Sequence, residues 1–128
     1  MDTLANAMNS LKLAESKGKR SVRVKVISKL VKGVLDLLKE NGYLNSVEED
    51  TGSLRHPQIV AELAGRITDC GVIKPRYAVK AGEIDDYEQR VLPAQGVGLL
   101  ILSTPKGLMT NIQAKQENQG GRLLAYVY

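Results

Sequence analysis

The sequence predicts an α+β fold of two small lobes: an N-terminal α/β lobe over 1–64 and a C-terminal, mainly antiparallel β lobe with short helices over 65–128. Three observations predict it. Apolar residues recur at helical spacing through most of the first forty positions. Short runs that alternate with period two lie between these stretches and turn signals. The C-terminal fifth sets an apolar run, a polar loop, a short helical segment, a glycine pair and a last alternating run one after another.

Each element has its own signal. Asp2 is placed to cap a helix running to about Lys17, because Leu4, Ala7, Met8, Leu11 and Ala14 share one face. Gly18 stops it, and Lys17-Gly18-Lys19-Arg20-Ser21 forms a basic turn. Residues 22–27 alternate as a strand, with Val22, Val24 and Val26 inward and Arg23 and Lys25 outward. Ser28 caps a second helix over 29–41, whose apolar positions are Leu30, Val31, Val34, Leu35, Leu37 and Leu38. Asn41-Gly42 ends it, with Gly at the left-handed position. A hairpin follows: strand 43–49, turn 50–53, strand 58–63. Gly65 is the joint between lobes. Pro75 holds Lys74 out of helix and bends an extended segment. Residues 83–91 form a short acidic helix closed by Leu92-Pro93. Leu99-Leu100-Ile101-Leu102 is a buried strand that feeds a loop over 103–107, a helix opens near Thr110, and Gly120-Gly121 releases the last strand.

Composition narrows the function. The chain has 128 residues, 43% hydrophobic and 25% charged, which suits a folded globular protein rather than a disordered one. No Trp or Phe is present, so any aromatic stacking rests on five Tyr. The net charge is +4, and it is unevenly spread: residues 1–40 carry nine basic and four acidic side chains, residues 41–63 one basic and four acidic. A basic N-terminal third turns a positive surface toward a polyanion. Single copies of Cys and His, Cys70 and His56, exclude an internal disulfide and a multi-Cys metal site. Cys70 reads as a small packed residue. No apolar run approaches the ~20 residues a spanning helix needs. With no secretory leader pattern, the chain reads as cytoplasmic.

Catalytic equipment is missing. His56 precedes Pro57 with no nucleophile placed beside it, and Asp85-Asp86 lies in a charged helix. Pro105-Lys106-Gly107 does not open a long Gly-rich phosphate loop. No catalytic residue, metal or cofactor is assigned. The acidic stretch at 48–50 and the helix at 83–88 leave open a protein–protein adaptor as the alternative.

Recognition equipment is present. Ser103 and Thr104 hydroxyls donate and accept, which suits ribose, base edges and phosphate. Lys106 adds a cation, Gly107 permits close approach, and Pro105 stiffens the loop. Arg76-Tyr77 pairs a cation with a ring that can stack on a base. Lys19, Arg20, Arg23 and Lys25 form a phosphate-contacting surface on the first strand and its turn.

Several segments carry a family resemblance over the whole chain. They are Asp2-Thr3-Leu4-Ala5-Asn6-Ala7-Met8, Ser28-Lys29-Leu30, Gly42-Tyr43-Leu44, Leu102 to Thr110 with its Ser-Thr loop and Leu108-Met109-Thr110 helix start, and Gly120-Gly121 before a strand ending in Tyr128. The chain resembles the universal small-subunit ribosomal protein family called S-eight in bacteria and S-fifteen-A in eukaryotes. Gly65-Arg66 and the segment from Cys70 to Tyr77 resemble its eukaryotic and archaeal branch. The resemblance implies a two-lobe fold and a structural, non-enzymatic role in the small subunit. It implies binding to the central domain of small-subunit rRNA, chiefly through the C-terminal lobe. Neighbouring small-subunit ribosomal proteins are the further partners, with no membrane and no small-molecule substrate. Ser103, Thr104, Gly107 and Tyr77 carry over as RNA contacts, with the Gly120-Gly121 turn close by. Pro105 departs from the family's third hydroxyl, Asn111 and Gln113 stand where acids are frequent, and Arg122 replaces a frequent Glu with a phosphate-seeking cation.

Overall fold

A computed structural model describes residues 3–24, 28–50, 58–94 and 96–128. The chain divides into two compact units, Met1–Thr68 and Asp69–Tyr128. The division falls after Thr68; Gly65, placed at the joint by its sequence, is a left-handed residue with φ +74 inside the first unit.

The first unit holds two helices and a three-stranded antiparallel sheet. Helix α1 (Thr3–Ser16) buries Leu4, Ala7, Met8, Leu11 and Ala14, the set its spacing predicts. Asp2, its expected cap, lies outside the described residues. Strand β1 (Ser21–Val24) covers the start of the predicted 22–27 strand, and Lys25 and Val26 also lie outside the described residues. Helix α2 (Lys29–Glu40) begins where the Ser28 side chain accepts a bond from the Val31 N–H at 3.1 Å. It stops at Gly42, whose φ of +83 suits glycine. Strand β2 (Leu44–Asp50) pairs with β3 (Gln58–Leu63), and β3 is central, in the order β1-β3-β2. The turn expected over 50–53 falls largely outside the described residues, as does His56. Along β3, Ile59, Ala61 and Leu63 are buried, as period two requires of a sheet with one covered face.

The second unit is built around one strand. Its elements are β4 (Cys70–Val72), β5 (Ala78–Val79), a 3-10 turn (Ala81–Glu83), α3 (Ile84–Val91), β6 (Leu99–Thr104), β7 (Gly107–Thr110), α4 (Asn111–Gln116) and β8 (Gly121–Val127). Strand β8 is flanked by β6 on one side and by both β4 and β5 on the other, and β7 closes the β6 edge. Leu99 to Leu102 are all buried, which is why β6 reads as an unbroken apolar run instead of an alternating one. A register shift between Ile101 and Leu102 leaves Leu124 as an extra residue in β8. That bulge lets Leu123, Leu124 and Ala125 be buried in succession. The core gathers Ile73, Val79, Ile84, Leu92, Leu100, Leu102, Met109, Ala114 and Leu123.

One part of the predicted layout is corrected. Residues 103–107 are a tight hairpin end rather than an open loop, and Leu108-Met109-Thr110 lie in strand β7 rather than starting a helix. Thr104 pairs with Gly107 and Leu102 with Met109, so Pro105 and Lys106 alone form the turn. Sequence pattern missed β7 because it is four residues long and begins with glycine. Helix α4 starts after Thr110, whose hydroxyl accepts from the Gln113 N–H at 3.3 Å while the Gln113 side chain accepts from the Thr110 N–H at 3.2 Å.

Candidate nucleic-acid interface

The hairpin tip is held by its own threonine. The Thr104 hydroxyl donates to the Gly107 carbonyl at 2.7 Å and accepts from the Lys106 N–H at 3.2 Å. Thr104 is 8% exposed, and its hydroxyl shapes the turn, using its one proton and one of its two acceptor positions there. Gly107 has φ +118 with open space where a Cβ would stand. The glycine serves the backbone conformation there. Lys106 and Ser103 are exposed.

Strand register carries the surface inward from that tip. Ser103 pairs with Leu108 on β7 and with Arg122 on β8, and Arg122 pairs with Ala78 on β5. Ser103, Arg122 and Ala78 are all exposed, forming a row across three strands at the end of the sheet, beyond the buried Leu99 to Leu102. The glycine pair makes the row possible. A Cβ on Gly121 would run into the Ser103 carbonyl, and one on Gly120 would sit 2.6 Å from the Val79 oxygen. Glycine at both positions lets the start of β8 slot between the ends of β5 and β6.

Beyond the row stand the aromatic rings. The Arg122 guanidinium donates to the Arg76 carbonyl at 3.3 Å. Tyr77 is 44% exposed, so it lies on the surface and not in the core. Its ring centroid is 5.7 Å from that of Tyr87 on α3, and the Arg90 guanidinium lies 5.5 Å over Tyr87. Tyr87 and Arg90 were not among the sequence candidates. Their three-residue spacing on one helix was the available signal. In this one unit the structure brings together Ser103, Lys106, Gly107, Gly120, Gly121, Arg122, Arg76 and Tyr77.

The other basic candidates belong to the first unit. Lys19 and Arg23 line a cleft of about 490 Å³ along α1 and β1, together with Ser10, Leu13, Lys17 and Ser21. The Arg23 guanidinium donates to the Gln58 side chain at 3.4 Å. Arg20 and Lys19 border a second cleft of about 450 Å³ with Glu15, Asn45 and Glu62. Lys25 lies outside the described residues.

Carboxylates of the acidic segments are partly spent on internal pairs. Lys115 reaches Glu88 at 2.7 Å and Asp85 at 3.0 Å, and Lys32 reaches Glu49 at 2.8 Å. The Glu88 hydrogen bond, with Asp85 behind it, raises the Lys115 pKa. Among the described residues no group of three His, Cys, Asp or Glu is placed to hold a metal ion, and no helix is long and apolar enough to cross a membrane.

An α+β scaffold whose exposed sheet end carries Ser103 and Arg122, beside an exposed lysine at a hairpin tip and a tyrosine pair, offers the hydroxyls, cations and rings that RNA recognition uses. The family model for ribosomal protein S8 matches residues 2–128. The chain therefore belongs to the ribosomal protein S8 family: a structural ribonucleoprotein constituent of the small ribosomal subunit that binds rRNA and serves translation.

Proposed function

We propose that the protein, a eukaryotic- or archaeal-type member of its family, binds the central domain of small-subunit rRNA in the cytoplasm. In that role it supports subunit assembly and performs no catalysis. The second unit reads the RNA and the first neutralises phosphates. The observation that carries this is the cross-strand row of Ser103 and Arg122, flanked by the Lys106 hairpin tip and the Tyr77–Tyr87 ring pair. Such a surface suits irregular RNA: hydroxyls and backbone take 2′-OH groups, rings take unstacked bases, and arginines take phosphates. Ser103 supplies the hydroxyl at the site, while Thr104 acts through the turn it closes. Lys19, Arg20, Arg23 and Lys25 contribute sequence-independent attraction.

Filter binding to a transcribed central-domain fragment tests the division. Ser103→Ala should weaken cognate binding by roughly 1 kcal/mol with little change toward unrelated RNA. Arg23→Glu should weaken binding to many RNAs alike and flatten the salt dependence by roughly one counterion. Unchanged cognate affinity in Ser103→Ala combined with Arg122→Ala would remove this face from the RNA contact.

A further inference from the structure

We infer that Asn111 is the positioning residue that locks α3, and with it the Tyr87–Tyr77 ring pair, to the base of the β6–β7 hairpin, so that rings and hairpin tip meet RNA as one surface. This rests on the RNA-contact reading of that face. Asn111 touches no proposed RNA contact itself; it acts through two bonds.

The first bond repairs the sheet. The β6–β7 ladder runs from Thr104 with Gly107 to Ile101 with Thr110, and its next rung would pair Leu100 with residue 111. Asn111 is the first residue of α4, where the backbone has left the ladder. Its side-chain oxygen takes the place of the missing strand carbonyl and accepts the Leu100 N–H at 3.2 Å, at a buried point. The second bond leaves the other end of the same amide: Nδ2 donates to Glu88 Oε1 on α3 at 2.9 Å. Lys115 also donates to that oxygen, at 2.7 Å. Asn111 is 4% exposed, so neither bond is readily replaced by water.

The chemistry is selective. A backbone N–H on one side demands an acceptor, and a carboxylate on the other demands a donor. A short carboxamide offers both. Aspartate would set a second carboxylate against Glu88. Leucine would leave the Leu100 N–H buried without a partner. Glu88 neighbours Tyr87 in α3, so the bond fixes the helix that carries the second ring. Without it, β6 and α3 would keep their apolar packing but lose their directional tie.

The test is a double-mutant cycle read by affinity for the central-domain fragment, with folding followed by circular dichroism. In the wild-type background Tyr77→Ala should weaken binding about tenfold, as loss of one stacked base would. In Asn111→Asp the same change should cost under about threefold, because the ring is already out of place. Asn111→Asp with Glu88→Gln restores a complementary pair, and the full effect of Tyr77→Ala should return. If Asn111→Asp fails to fold, Glu88→Leu breaks the tie from the α3 side and should give the same uncoupling. An equal Tyr77→Ala penalty in every background overturns the positioning role while leaving the RNA face in place. No penalty in the wild type overturns the ring contact itself, and this inference with it.

Discussion

Thr104 and Gly107 face each other across the hairpin tip, and the threonine hydroxyl donates to the glycine carbonyl at 2.7 Å. The residue type that suggests RNA contact in the sequence is here committed to closing a turn. Thr104→Val keeps the shape and removes the hydroxyl, leaving the Lys106 N–H without its acceptor. We expect a loss of about 1–2 kcal/mol in urea denaturation, with Thr104→Ser close to wild type. A Thr104→Val protein as stable as wild type would show that the bond is incidental.

The Gly121 position admits no side chain, because a Cβ there meets the backbone of Ser103, which cannot swing away as a flexible side chain would. Gly121→Ala should cost about 1–3 kcal/mol or more, through separation of β6 from β8. Gly82, in the 3-10 turn before α3, has open space around its Cβ position and no positive φ. Gly82→Ala should be neutral or mildly stabilising, by up to about 1 kcal/mol. Thermal melts of the two variants side by side check the contrast. Equal melting temperatures would contradict the steric argument.

The helices of the first unit were legible because their apolar faces and caps are local: five spaced residues for α1, and Ser28 with Gly42 for α2. The face of the second unit was only half legible. Ser103 and Arg122 lie far apart in the chain and become neighbours through a register set by the bulge at Leu124 and the fit of Gly121. No single-chain pattern encodes that register. Tyr87 and Arg90 were passed over because α3 reads as an acidic helix. Its acids turn out to be partly consumed by Lys115, while its ring meets Tyr77. Asn111 reads in the sequence only as a residue standing where acids are frequent, because its partners, Leu100 and Glu88, come from two other elements.

Lys115 gives a prediction at high pH. Its pKa is raised above the ordinary lysine value of 10.5 by the hydrogen bond to Glu88 and then by Asp85, partly offset by desolvation. A raised folded-state pKa means a contribution fully present below the unfolded value and lost as pH climbs through the folded one. The stability difference between wild type and Lys115→Met should therefore be constant from neutral pH to about pH 10 and shrink above it. The pair is partly solvent-exposed, so the difference should be small, under about 1 kcal/mol. A difference that grew with pH would reverse the sign and exclude the ion pair as its source.

Glu15 gives the opposite lesson at low pH. Its carboxyl pKa is raised above the ordinary 4.5 by burial, and its Oε2 is a buried atom with no hydrogen-bond partner. Burial penalises the charged form, so the native state holds a proton that the unfolded chain has already released. Within that window the native state binds more protons than the unfolded one, and stability falls as pH rises. The penalty is absent well below 4.5, grows between 4.5 and the raised value, and levels off above it. Glu15→Gln keeps the shape and never ionises. It should be more stable than wild type at neutral pH and equal to it near about pH 3, with the difference tracking a single titration. Denaturation midpoints of the two proteins across that range decide the matter. A Glu15→Gln protein less stable at neutral pH would mean that the carboxylate, ionised, is held by the basic residues bordering its cleft, Lys19 and Arg20, rather than penalised by burial.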